Sequence, residues 1–207
     1  MPMKVRTKHR SQKAKASKAS HRTPLLTPSK LTAPRPTRVF PRQRLFDLLD
    51  RTREDHRVIW VSAPGGAGKT SLATSYLQAR KLPVLWYQVD AGDGDIASFF
   101  YYMGLAVQHA APRHKKPLPH LTPEYLADVP TFTRNFFREL YRRLPRHSVI
   151  VLDNYQDAPE DSPLHDVLHL AMSEVPEGLN LFVLSRVEPP SVLARLRLCD
   201  HAACLDW

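Results

Sequence analysis

Cysteine is nearly absent from the 207 residues, with Cys199 and Cys204 as the only two. Two thiols cannot build a disulfide framework or a four-cysteine zinc site, and the expected compartment is a reducing one. Glycine is also scarce, 7 residues against 19 prolines, which predicts extended or broken segments between folded elements. No apolar run approaches the roughly 20 residues that a membrane-spanning helix needs. The basic start is not followed by an apolar signal core, and no amphipathic Arg-rich transit helix is evident there. The expectation is a soluble, cytoplasmic protein with no membrane partner.

Acidic residues are missing from one end of the chain only. Up to Phe46 there are 13 Lys and Arg and no Asp or Glu, whereas the remainder carries 17 basic and 20 acidic residues. The formal net charge of +10 therefore belongs to the leader, and the rest of the chain is slightly acidic. Residues 1–24 are Lys, Arg, Ser and Ala with little to bury, so they are expected to form a disordered basic tail. Such a tail can neutralise phosphates and bind nucleic acid in a salt-dependent way, or can serve merely as a solubilising leader. Residues 25–56 read as a Pro-rich leader ending in a short helix over Arg42 to Asp50, where Leu45, Leu48 and Leu49 recur at helical spacing.

What the chain does have is Ala63-Pro64-Gly65-Gly66-Ala67-Gly68-Lys69-Thr70. Small residues let backbone N–H groups close around phosphate oxygens, Lys69 supplies a mobile positive charge, and the Thr70 hydroxyl can ligate Mg²⁺. The usual pattern begins with Gly, and Ala63 is the mildest replacement for it. Val58 to Val61 before the loop read as a buried strand, and Leu72, Ala73, Tyr76 and Leu77 after it place a helix from Lys69 to about Arg80. The N–H groups and dipole of that helix's first turn favour an anion at the loop, which brings in Ser71 as well.

Further strands are expected at Val84–Val89, Val149–Asp153 and Leu181–Arg186, with helices after Asp95 and from about Phe132 to Leu144. Asp90, Asp93 and Asp95 read as a turn and helix cap, because the spacing of a calcium loop is lacking. The stretch from Ala111 to Pro130 is read as a surface loop. Alternating strands and helices predict an α/β fold, a three-layer P-loop NTPase with a mainly parallel sheet over residues 57–207. Ligands of such sheets bind at the carboxyl ends of the strands, where Asp153 and Arg186 sit. Asp153 is expected to hold Mg²⁺ beside Thr70, and Arg186 to face a γ-phosphate. Asn154 occupies the position after Asp153 where a carboxylate would activate water, so nucleotide binding is expected and hydrolysis is left open. His165 and His169 share a helix face, but the pattern lacks the Glu and the third ligand of a zinc protease.

The segments TPSKLTAPRPTRVFPRQRLFDLLD, VSAPGGAGKTS, LWYQVDAGDGDIASFF, VIVLDNYQD and LFVLSRVEPPSVLARLR, in this order and spacing, resemble the nucleotide-binding domain of the STAND signal-transduction ATPases. The similarity is to the MalT-like branch common in LuxR-family transcriptional regulators, and it runs from Leu25 to Trp207. It implies that Arg42 and Arg186 contact ATP, and that Pro64 to Ser71 form the nucleotide cradle, with Lys69, Asp153 and Arg186 as the catalytic set. It further implies an ATP/ADP-dependent signalling switch with slow hydrolysis, self-association on activation, and DNA as a partner through further domains. Family members continue into such domains, so a truncated or split regulator is expected. The alternative is a degenerate fragment acting as a nucleic-acid-binding or scaffold protein through its basic tail.

Overall fold

A computed structural model describes residues 27–35, 42–114, 116–194 and 202–206. The expected tail, residues 1–24, lies outside the described residues, as do residues 36–41 of the leader and Cys199. Five strands form one parallel sheet: β1 (Val58–Ser62), β2 (Val84–Gln88), β3 (Val149–Asp153), β4 (Asn180–Ser185) and β5 (Ala202–Asp206). Their spatial order is β2-β3-β4-β1-β5.

Every residue of β1, β3 and β4 is buried, as expected for strands covered on both faces. Successive side chains point to opposite faces and so divide the core in two. Val58, Trp60, Ile150, Leu152, Leu181 and Val183 pack beneath helices α3 (Ile96–Ala110), α4 (Val129–Arg143) and α5 (Leu164–Ser173). Ile59, Val61, Val149, Val151, Phe182 and Leu184 face α1 (Gln43–Asp55) and α2 (Lys69–Ala79). The three expected layers follow from this alternation. On the α1/α2 face, Tyr76 meets Phe46 edge-on at 5.5 Å and lies over Phe182 at 6.3 Å between ring centroids. Each such fully buried aromatic contributes about 1.5–3 kcal/mol of apolar stabilisation.

Several boundaries differ from the sequence expectation. Helix α1 continues to Asp55 because its last turns have tertiary partners: Thr52 is buried, and Arg53 Nε donates to Asn180 Oδ1 at 3.0 Å. Helix α4 starts at Val129, inside the expected loop, because the Asp128 carboxylate accepts from Thr131 N, and Pro130 is tolerated in the first turn. A 3₁₀ turn over Pro123–Asp128 precedes it. As expected, Asp95 caps α3 by accepting from the N–H groups of Ala97 and Ser98. Strand β5 was not expected, since its AACLD sequence is short, only half-buried and without β-branched residues. A four-residue helix, α6 (Ser191–Ala194), follows β4.

The strand order positions the site. Because β4 lies between β1 and β3, the residues at the ends of these three strands converge on the loop that follows β1.

Candidate functional site

The loop leaves β1 at Ser62 and turns through Pro64–Ala67, where Ala67 N donates to Pro64 O at 3.2 Å. Gly66 and Gly68 have φ of 80° and 84°, in the left-handed region where a side chain is strained. Ala63 has no such backbone requirement; it is buried, and its N–H donates to Ser185 O at 3.3 Å. The first position of the loop therefore accepts a methyl group. Pro64, Gly65 and Gly66 are exposed, while Ala67 to Thr70 are half-buried, so the cradle opens to solvent on one side. Gly68 caps α2, and the helix's first N–H groups lie at the mouth of the loop. Ser71 is exposed in that first turn, and its carbonyl accepts from the hydroxyls of Thr74 and Ser75.

Lys69 Nζ donates to Ala63 O at 2.5 Å and to Pro64 O at 3.1 Å, which leaves one of its three protons uncommitted within the loop. Burial lowers its pKa, and the nearby Arg186 charge lowers it further, against a smaller opposing pull from Asp153. Thr70 Oγ1 lies 3.1 Å from both carboxylate oxygens of Asp153. Asp153 is buried, and desolvation raises its pKa despite hydrogen bonds from Thr70 and from Asn154 N. A desolvated carboxylate beside a hydroxyl oxygen is a hard, oxygen-only donor set of the kind that suits Mg²⁺, so these residues fit that ion.

Arg42 and Arg186 approach the loop from opposite elements. Arg42 Nη1 donates to Ala67 O at 3.3 Å, and its Nη2 sits 3.3 Å from where a Cβ on Gly68 would lie. Arg186, exposed at the end of β4, brings its Nε within 3.9 Å of the corresponding position on Gly65. The arrangement thus gathers Arg42, Lys69, Thr70, Asp153 and Arg186 around one loop. The cationic groups can hold an oxyanion chain and the Thr70/Asp153 pair a divalent cation.

Asn154, after Asp153, adopts a left-handed conformation with φ of 57°, which an Asn tolerates well. Sequence reasoning missed Gln156, whose Oε1 accepts from Arg186 N at 3.0 Å. It carries no motif signal. His165 is committed elsewhere: Nδ1 meets Tyr155 Oη at 2.5 Å and Nε2 meets Pro159 O at 3.0 Å. Among the described residues no cluster of three or more His, Cys, Asp or Glu could hold a metal ion, and no helix is long and apolar enough to cross a membrane.

No protein-family model matches the chain. It is 30% identical over 183 residues to the HTH-type transcriptional regulator MalT of Vibrio cholerae, covering 84% of this chain and 19% of that protein. To MalT of Klebsiella pneumoniae it is 29% identical over 179 residues, covering 86% of this chain and again 19% of the relative. The chain thus spans about a fifth of the length of the curated relatives it matches. Among solved structures it is similar to a chain of the Drosophila ORC bound to GC-rich DNA and Cdc6, with a TM-score of 0.51 and 13% identity. That match covers 79% of this chain and 54% of the other, and it concerns the fold alone.

Proposed function

Because this chain is a MalT-like P-loop domain, we propose that it is the ATP-binding switch of a cytoplasmic transcriptional regulator of the STAND class. The observation that carries the reading is the convergence of Thr70 on Asp153 beside the Gly68–Lys69 turn. In a chain with two unrelated turns there is no reason for a buried carboxylate to end a strand against that hydroxyl. With both in place, a hard cation and a phosphate chain have adjacent sites.

In this role the backbone N–H groups of Gly65 to Ser71 and the first turn of α2 receive the β-phosphate. Lys69 exchanges its bonds to the Ala63 and Pro64 carbonyls for phosphate oxygens, and its charge stays near the loop throughout. Thr70 and Asp153 hold Mg²⁺, which neutralises charge on the phosphate oxygens when bound. Arg42 fixes the loop from the α1 side, and Arg186 reads whether a γ-phosphate is present. ATP and ADP would then make different contacts, which is the minimum a switch requires.

Turnover is expected to be slow. The Asn154 amide can orient a water molecule but cannot take its proton as a carboxylate would. Self-association in the ATP state, and DNA as a partner through the basic residues 1–24 or through segments beyond this chain, complete the proposal.

Isothermal calorimetry with Mg-ATP tests it. Saturable binding that is lost in Lys69→Ala is the expected result. No binding by the wild-type chain, or an unchanged affinity in Lys69→Ala, would overturn the reading.

A further inference from the structure

The turn that follows β3 is held more firmly than a surface connection requires. Asn154 N donates back to Asp153 Oδ1 at 3.0 Å, which ties the start of the turn to the carboxylate itself. The next residue, Tyr155, is fully buried; its ring meets Trp60 edge-on at 4.9 Å, and its hydroxyl is engaged by His165. These contacts fix the backbone on either side and deliver Gln156 to the end of the neighbouring strand.

Both ends of the Gln156 amide are used. Nε2 donates to the Asp157 carboxylate at 3.1 Å, and Oε1 accepts from Arg186 N at 3.0 Å. The orientation of the amide is self-consistent, since a carboxylate can only accept and a backbone N–H can only donate. Strand β4 ends at Ser185, so the Arg186 N–H has passed out of the sheet ladder and depends on this side chain. The neighbouring groups are pinned in turn: Ser185 Oγ accepts from Val187 N at 3.1 Å, and Val187 O accepts from Trp60 Nε1 at 3.1 Å. Arg186 is thus held by its main chain while its guanidinium stays exposed beside Gly65.

Resting on the nucleotide reading above, we propose that Gln156 is a positioning residue. Its carbonyl sets where the Arg186 guanidinium lies over the loop, and so sets how strongly the chain distinguishes a nucleoside triphosphate from a diphosphate. The link joins the metal-side strand to the γ-phosphate-side strand through one neutral hydrogen bond, so its loss shifts the geometry of Arg186 without changing the charge of the site. A residue that only closed the turn would affect both nucleotides alike.

The test is a double-mutant cycle on the full chain, with calorimetric titration of Mg-ATP and Mg-ADP into wild type, Gln156→Ala, Arg186→Ala and the double variant. Gln156→Ala should weaken Mg-ATP by about threefold to tenfold, the range of one hydrogen bond, while Mg-ADP changes less than about twofold. In the Arg186→Ala background the same change should leave the ATP/ADP ratio where it was. Gln156→Leu, close to Gln in volume, repeats the loss of the acceptor if the Ala variant does not fold. Equal losses for both nucleotides, or a full additional loss of ratio without Arg186, would overturn the role of Gln156 and leave nucleotide binding standing. Wild type that binds neither nucleotide would remove the nucleotide reading, and this role with it.

Discussion

Thr70 Oγ1 is equidistant, at 3.1 Å, from the two carboxylate oxygens of Asp153, a residue 83 positions away in the chain. The contact joins the first turn of α2 to the end of β3 across the intervening β4. A hydroxyl so placed offsets part of the desolvation of the carboxylate.

Removing that hydroxyl should be felt chiefly through the metal. Thr70→Ala is expected to weaken Mg-ATP binding about tenfold or more, as loss of a hydrogen bond to a charged group implies. Titration in excess EDTA should show much less difference between the variant and wild type. Equal losses with and without Mg²⁺ would argue against a metal-side role.

The raised pKa of Asp153 makes a stability prediction with a definite sign. Its folded-state pKa lies above the unfolded value of 3.8 because burial disfavours the charged form. The folded protein then holds the proton more tightly, so stability falls as pH rises through this window, and the penalty persists at neutral pH. Asp153→Asn keeps an acceptor for Thr70 and removes the buried charge. In metal-free buffer at pH 7 the Asn variant should melt at a higher temperature than wild type, with the gap closing as pH is lowered through the carboxylate range. A variant that melts lower than wild type at pH 7 would contradict the burial argument.

Gly68 and Gly65 offer a matched contrast within the loop. Gly68 has φ of 84° and would set a Cβ 3.3 Å from Arg42 Nη2, whereas at Gly65 the nearest atom is 3.9 Å away and φ is outside the left-handed region. Gly68→Ala should destabilise the protein by about 1–2 kcal/mol, the penalty for a left-handed Ala, and Gly65→Ala by much less. Urea unfolding of the two variants measures the difference. Equal midpoints would show that the loop relaxes freely.

The meeting of Thr70 with Asp153 was legible because each stands in a segment of few residue types in a narrow order. Pro64 to Thr70 and the run Val149–Asp153 each stand in one local segment, and their alternation of buried strand and helix fixes a parallel sheet. Residues whose roles depend on what folds against them were not legible. Gln156 accepts from a backbone group 30 positions away. Strand β5 exists because β1 offers it a free edge, since its own composition is weakly strand-forming. The last turns of α1 persist because Arg53 finds Asn180. Local pattern carries no information about such partners until the sheet order brings them together.

Lys30 is a further case of a partner hidden from sequence, and it bears on stability. It lies in a 3₁₀ turn of the leader, Ser29–Leu31, and its Nζ sits 2.9 Å and 3.1 Å from the two oxygens of Asp93, with Asp90 at 2.8 Å. The rings of Tyr87 and Tyr102 flank the ammonium at 5.0 Å and 4.9 Å. Asp93 is fully buried and also accepts from the Tyr87 hydroxyl at 2.6 Å. Replacing Lys30 with Met keeps most of the aliphatic stem but leaves a buried carboxylate without its cation, which is expected to destabilise the fold by about 3–5 kcal/mol. The double variant Lys30→Met/Asp93→Asn, neutral on both sides, should recover a large part of that loss, because the deficit comes from an unpaired charge more than from missing contacts. If chemical denaturation showed Lys30→Met within about 1 kcal/mol of wild type, the ion pair would have to be exchangeable with water, as surface pairs are.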